Sequence, residues 1–78
     1  MSTFDAYQTI AARQDGRVLT LTLNRPDKLN AVDARMHKEL STIFDEINLE
    51  ASIDIVVLTG AGRAFSAGGD AAWMRELA

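Results

Sequence analysis

Three apolar patterns in a fixed order constrain this chain most: an alternating run, a helical stripe and a second, shorter run. Between Arg17 and Asn24, Leu19, Leu21 and Leu23 alternate with Val18, Thr20 and Thr22. A period of two predicts a strand with one apolar and one semi-polar, β-branched face. Between Asp33 and Leu49, Met36, Leu40, Ile43, Phe44 and Ile47 recur at helical spacing, and Asp33 is placed to accept a free amide of the first turn. Lys38, Glu39, Asp45 and Glu46 fall off that stripe and are expected to form a wet face. Ile53 to Thr59 is apolar on both alternating faces, the pattern of a strand buried from both sides. Strand, helix and buried strand in this order predict a parallel pair joined by a right-handed crossover.

The flanks complete an α/β reading, a hairpin followed by a βαβ unit. Tyr7 to Arg13 is a further strand candidate, joined to the next through Gln14-Asp15-Gly16, because Gly accepts the positive φ of a tight turn. Arg25-Pro26-Asp27 ends the second strand, since Pro lacks a ladder amide. Gly60-Ala61-Gly62-Arg63 reads as a loop, and a second helix is expected from Asp70 with Trp73, Met74 and Leu77 on its apolar face. No Gly, Asn or Pro follows Leu77 to stop that helix, so residues 1–78 read as a truncated segment of a larger domain.

Composition narrows the function classes. A chain of 78 residues buries only about 60% of its unfolded surface, and with no cysteine it has no disulfide to reinforce a thin core. A net charge of −3 argues against a nucleic-acid footprint, although a single Lys or a helix N-terminus can still hold a phosphate. Met1 to Asp5 lacks a basic, apolar leader, and Ile55 to Leu58 is far too short to span a bilayer. A soluble, cytoplasmic protein without membrane partners is expected.

Several familiar site patterns fail on their own chemistry. Gly60-Ala61-Gly62 follows a strand, but Phe65 stands where a dinucleotide fingerprint needs its third Gly, and no Gly-Lys-Ser/Thr triplet exists for a P-loop. Ser66 lies in a near-match to a nucleophile elbow, with Ala64 in place of the first Gly; the one histidine, His37, is upstream rather than downstream. A lone helical His is a boundary residue far more often than a base or ligand. Phe65-Ser66-Ala67-Gly68-Gly69-Asp70 is more informative. Its small residues let a ligand approach the backbone, and amides ahead of a helix capped by Asp70 could hold an oxyanion. The same pattern also suits a plain tight loop with a structural cap.

Two blocks carry a family resemblance. Leu21-Thr22-Leu23-Asn24-Arg25-Pro26-Asp27-Lys28-Leu29-Asn30-Ala31 resembles the Asn-Arg-Pro…Asn-Ala turn of crotonases, the enoyl-CoA hydratase/isomerase superfamily. Ile55 through Asp70 resembles that family's second signature, in the right order and at the right separation. The resemblance implies the N-terminal part of a crotonase-like spiral of ββα units, in a family usually assembled as trimers or dimers of trimers. It implies acyl-CoA as substrate, with no further cofactor and no metal. Gly69 then corresponds to an oxyanion-hole amide, and Lys28, Leu29 and Ala31 to the turn along the CoA nucleotide. Ala67 and Asp70 correspond to backbone contributors around the adenine and pantetheine path, with Asp70 mainly a structural cap, Gly68 to the same CoA-binding segment, and Ala71 to a position near the acyl group. Ala71 departs from the family's usual aliphatic residue after the Asp. The second oxyanion amide and the acid/base carboxylates of a hydratase come from further along the family's chain. Other crotonase reactions, thioester hydrolysis or dehalogenation among them, share this segment. A non-catalytic CoA-binding or self-assembling module is the reading from a different class.

Overall fold

The computed structural model describes Phe4 and residues 6–77, the side chains of Trp73 and Leu77 excepted. Strand β1 (Ile10–Asp15) and strand β2 (Val18–Leu23) form an antiparallel hairpin in which Asp15 faces Val18. Gly16 (φ 61°) and Arg17 therefore make a two-residue turn, one step later than the sequence suggested. The first strand also starts later than expected, at Ile10. The amides of Gln8 and Thr9 are drawn out of any ladder by the carboxylate of Glu39, which accepts from both.

After β2 comes a 3-10 turn (Pro26–Lys28), then helix α1 (Ala34–Asn48). Asp33 caps the helix as expected, its Oδ1 accepting from Met36 N at 2.9 Å. Strand β3 (Ile55–Gly60) then pairs parallel to β2, with Val18 opposite Ile55 and Leu23 opposite Gly60. The sheet order is β1-β2-β3, and a short helix α2 (Ala71–Leu77) follows.

Period two and period 3.6 meet in the core. Leu19, Leu21 and Leu23 bury one face of β2 against Met36 and Ile43 of α1, with Phe4 and Ile10 closing the cluster. Each such side chain gains about 1.5–3 kcal/mol from leaving water. Leu40 and Ile47 pack on the margin, while Phe44 remains 40% exposed.

Two expectations fail here, each for a spatial reason. Strand β3 is not buried on both faces: Ile55, Val57 and Leu58 are exposed. It lies at one edge of the sheet, and of its apolar residues only Val56 packs against the core among the described residues. Glu39 does not belong to a wet helix face; it is buried at 8% exposure. The segment before β1 crosses α1 there, and Glu39 accepts from the Thr9 hydroxyl at 2.6 Å and from the Gln8 and Thr9 amides. Tyr7 is tied to the same helix through a hydrogen bond from its hydroxyl to Glu46. Among the described residues, no helix is long and apolar enough to cross a membrane.

Candidate functional site

The site is built where the chain leaves β2. Leu29 and Asn30 both adopt left-handed backbone (φ 51° and 56°) immediately after the 3-10 turn. That conformation is costly for residues with a Cβ. What holds it is the side chain of Asn30, which the reversal turns inward until it is fully buried. Its Oδ1 accepts from Arg25 N at 2.8 Å, and its Nδ2 donates to Ala61 O at 2.9 Å and Ala64 O at 2.8 Å. One amide side chain thus fastens the turn after β2 to the loop after β3.

That second loop is close against its own strand. A Cβ on Gly60 would collide with the carbonyl oxygens of Ala64 and Phe65 and lie 2.7 Å from Phe65 Cα, so only Gly fits. Ser66 then donates to Asn30 O at 2.8 Å and accepts from Gly68 N at 3.1 Å. Its hydroxyl serves the loop as an internal bracket.

The two loops run side by side. Ala67 N donates to Leu29 O at 2.9 Å, Val32 N to Gly68 O at 2.7 Å and Asp70 N to Val32 O at 2.6 Å. Val32 and Gly69 form a parallel bridge. Among the described residues nothing accepts from the Gly69 N–H. Asp70 caps α2, its Oδ1 accepting from Ala72 N at 3.0 Å. Met74 lies over Gly69, where a Cβ would meet its sulfur at 2.8 Å.

Arg25 holds the junction. With its side chain 16% exposed, the guanidinium donates to Ala31 O, lies 3.6 Å from Asp33 and reaches Asp70 at 3.3 Å. It therefore links the turn after β2, the cap of α1 and the cap of α2. Neither Arg25 nor Asn30 was singled out as a site residue from sequence. The only local signal was the Asn-Arg-Pro…Asn-Ala pattern, which marks a turn without saying where the side chains go.

The residues singled out from sequence gather at this junction. Leu29 and Ala31 lie on one loop and Ala67, Gly68 and Gly69 on the other, and Asp70 and Ala71 begin α2. Lys28 ends the 3-10 turn, exposed, and no ion pair among the described residues involves it. Met74 on α2 is exposed; Trp73 and Leu77, also expected on its apolar face, have side chains outside the described residues. His37 is exposed on α1. A cleft of about 250 Å³ beside Asp70 is lined by Asp33, Ala34, Arg35, Asp70, Ala72 and Glu76. Three carboxylates against one guanidinium make it a poor place for a phosphate.

A three-stranded sheet with a crossover helix, and two glycine-bearing loops laced together at its end, define an N-terminal unit of the crotonase fold. The chain belongs to the enoyl-CoA hydratase/isomerase family, whose model matches residues 18–78. It is 37% identical over 71 residues to a probable enoyl-CoA hydratase of Mycobacterium tuberculosis, covering 91% of this chain and 28% of that protein. It is 45% identical over 53 residues to the 1,2-epoxyphenylacetyl-CoA isomerase of Escherichia coli, covering 68% of this chain and 20% of the relative. The crystal structure of an enoyl-CoA hydratase/isomerase from Mycobacterium paratuberculosis superposes with a TM-score of 0.85 at 42% identity. That match covers 92% of this chain and 29% of the other. The chain thus spans less than a third of the length of these relatives.

Proposed function

We propose that this chain supplies the acyl-CoA thioester-binding part of an enoyl-CoA hydratase or isomerase, with the Gly69 N–H donating to the thioester oxygen as negative charge develops there. The observation that carries this reading is that the Gly69 N–H has no acceptor among the described residues while the peptides on either side of it are pinned to Val32. A donor fixed before the substrate arrives needs no reorganisation during reaction, and one such donor is worth about 3 kcal/mol. The relatives named above differ in reaction, one a hydratase and one an isomerase, yet both are named for CoA compounds. The segment they share suits a step common to both, charge accumulation on the thioester oxygen.

In this reading Lys28 pairs with a CoA phosphate. Leu29 and Ala31 border the nucleotide, and Ala67, Gly68, Asp70 and Ala71 border the pantetheine and acyl group. Asp70 remains a cap rather than an acid or base, because its carboxylate is engaged by Ala72 N and Arg25. The chain by itself is therefore expected to leave crotonyl-CoA unhydrated.

The test follows the Gly69 amide resonance during titration with acetyl-CoA and, separately, with S-ethyl-CoA, a thioether that lacks the carbonyl. A large Gly69 shift with the thioester alone supports the reading. Binding of both ligands with Gly69 indifferent to either would overturn it.

A further inference from the structure

Two peptide groups stand between the guanidinium of Arg25 and the N–H of Gly69. Arg25 Nη1 donates to the carbonyl oxygen of Ala31. That carbonyl and the Val32 N–H are opposite ends of one planar peptide, and the described peptide bonds are all trans. Val32 N–H donates in turn to the carbonyl oxygen of Gly68 at 2.7 Å. The Gly68 carbonyl and the Gly69 N–H are again opposite ends of one trans peptide. The Gly69 N–H must therefore point away from Val32, and among the described residues it has no acceptor.

We propose that Arg25 is a positioning residue for the Gly69 amide, heading a chain of two hydrogen-bonded peptide groups that aims and polarises that N–H toward a bound thioester oxygen. This rests on the reading of Gly69 given above. Hydrogen bonds in series polarise one another, each strengthening the next by about 10–30%. A cation at the acceptor end of the first peptide drives that polarisation in the direction that makes the terminal N–H a better donor. The orientation is secured twice. Arg25 Nη2 reaches Asp70 Oδ2 at 3.3 Å, fixing the residue after Gly69, and Asp70 N–H donates to Val32 O at 2.6 Å. Asp33, 3.6 Å from the guanidinium, offsets part of its charge.

The variants to compare are Arg25→Met, Arg25→Lys and Asp33→Asn. Asn caps a helix about as well as Asp, so the last substitution removes one opposing charge and keeps the cap of α1. In the ligand-free chain, Arg25→Met is expected to move the Gly69 and Val32 amide protons upfield while Ala12 and Leu21 stay in place. Arg25→Lys is expected to recover part of that shift. Asp33→Asn is expected to move Gly69 the opposite way, and it decides the matter alone if Arg25→Met does not fold. A Gly69 proton that ignores Asp33→Asn, or moves upfield in it, overturns the proposal.

Binding supplies the second readout. A hydrogen bond to a ground-state thioester carbonyl is worth about tenfold at most, so weakening it by ~10–30% corresponds to a loss of at most about twofold. The preference of the chain for acetyl-CoA over S-ethyl-CoA is expected to fall by that factor in Arg25→Met, with S-ethyl-CoA affinity unchanged. Equal loss for both ligands would make Arg25 a purely structural residue and overturn the proposal. No preference in the unsubstituted chain would instead remove the oxyanion reading of Gly69, and the ligand-free shifts would still decide whether Arg25 polarises that amide.

Discussion

The side-chain nitrogen of Asn30 lies 2.8 Å from the carbonyl oxygen of Ala64, and this contact joins the two loops on which the candidate site stands. Asn30 also accepts from Arg25 N and donates to Ala61 O, with no surface exposed. Replacing it by Ala orphans three part-buried backbone groups, each worth about 1 kcal/mol at the low end of the cost of an unsatisfied group, and leaves an Ala in left-handed backbone. We expect Asn30→Ala to cost at least about 3 kcal/mol. Asn30→Asp is expected to cost no less, because a carboxylate oxygen would face the Ala61 and Ala64 carbonyls. Urea unfolding monitored by circular dichroism checks both, and a loss within error for either would contradict the role given to Asn30.

Glu39 makes stability depend on acid. Burial pushes its carboxyl up, but hydrogen bonds from the Thr9 hydroxyl, the Gln8 and Thr9 amides and Arg35 together outweigh burial and leave it below its ordinary range. A group depressed on folding stabilises fully above its unfolded pKa, and that contribution fades as pH falls through the folded pKa. The chain should therefore lose stability on the acid side of the carboxylate range. In Glu39→Gln this part of the acid dependence should vanish, at a cost near neutrality of about 2 kcal/mol, the scale of hydrogen bonds to a charged group. Unfolding midpoints across the acid range, compared between the two proteins, decide it.

Tyr7 gives an opposite, alkaline signature. Burial, the hydrogen bond to Glu46, and the charges of Glu46 and Glu39 all raise its phenol above the ordinary value of 10.0. The neutral form is the one the fold favours, so its contribution is present below the unfolded pKa and is lost as pH rises through the folded one. The chain has one tyrosine, so tyrosinate absorbance reports this group alone. Its midpoint should lie above that of the denatured chain, and Glu46→Gln should bring the two closer. Coincident midpoints would show that Tyr7 is not held against α1 in solution.

Lys28 should act on affinity alone. If it pairs with a CoA phosphate as proposed, this exposed cation is expected to contribute about 0.2–1 kcal/mol, or up to about fivefold in acetyl-CoA binding. Salt should screen that contribution, so the difference between Lys28→Ala and the unsubstituted chain should shrink as ionic strength rises. A salt-independent difference would point to packing by the lysine stem instead.

Much of this architecture was legible in the sequence. The period of two at Val18–Leu23, the helical stripe from Met36 to Ile47 and the cap at Asp33 are local patterns, readable within one or two turns of chain. The two loops of the candidate site were located by their Gly, Pro and Asn residues. Placement of side chains across the fold was another matter. Glu39 looked solvated because helical periodicity reports which face a residue occupies on its own helix, and the segment at Gln8 and Thr9 that covers it is 30 residues or more away. Strand β3 looked doubly buried because apolar composition records what a strand can be packed against, whereas exposure depends on which layers are present around it.

What the sequence by itself determined was therefore the kind and order of the elements, the N-caps Asp33 and Asp70 and the glycine turn at Gly16. The close approach that admits only Gly at position 60 came from the structure. Only the tertiary structure decided that Asn30 turns inward, that Arg25 reaches Ala31, Asp33 and Asp70 together, and that the Gly69 N–H has no acceptor among the described residues. The physical reason is one of range. Backbone preference and periodicity act over a few residues, while the direction of a peptide N–H at Gly69 is set by the carbonyl at its other end. That carbonyl is held by Val32, which is brought beside it only when β2 and β3 pair.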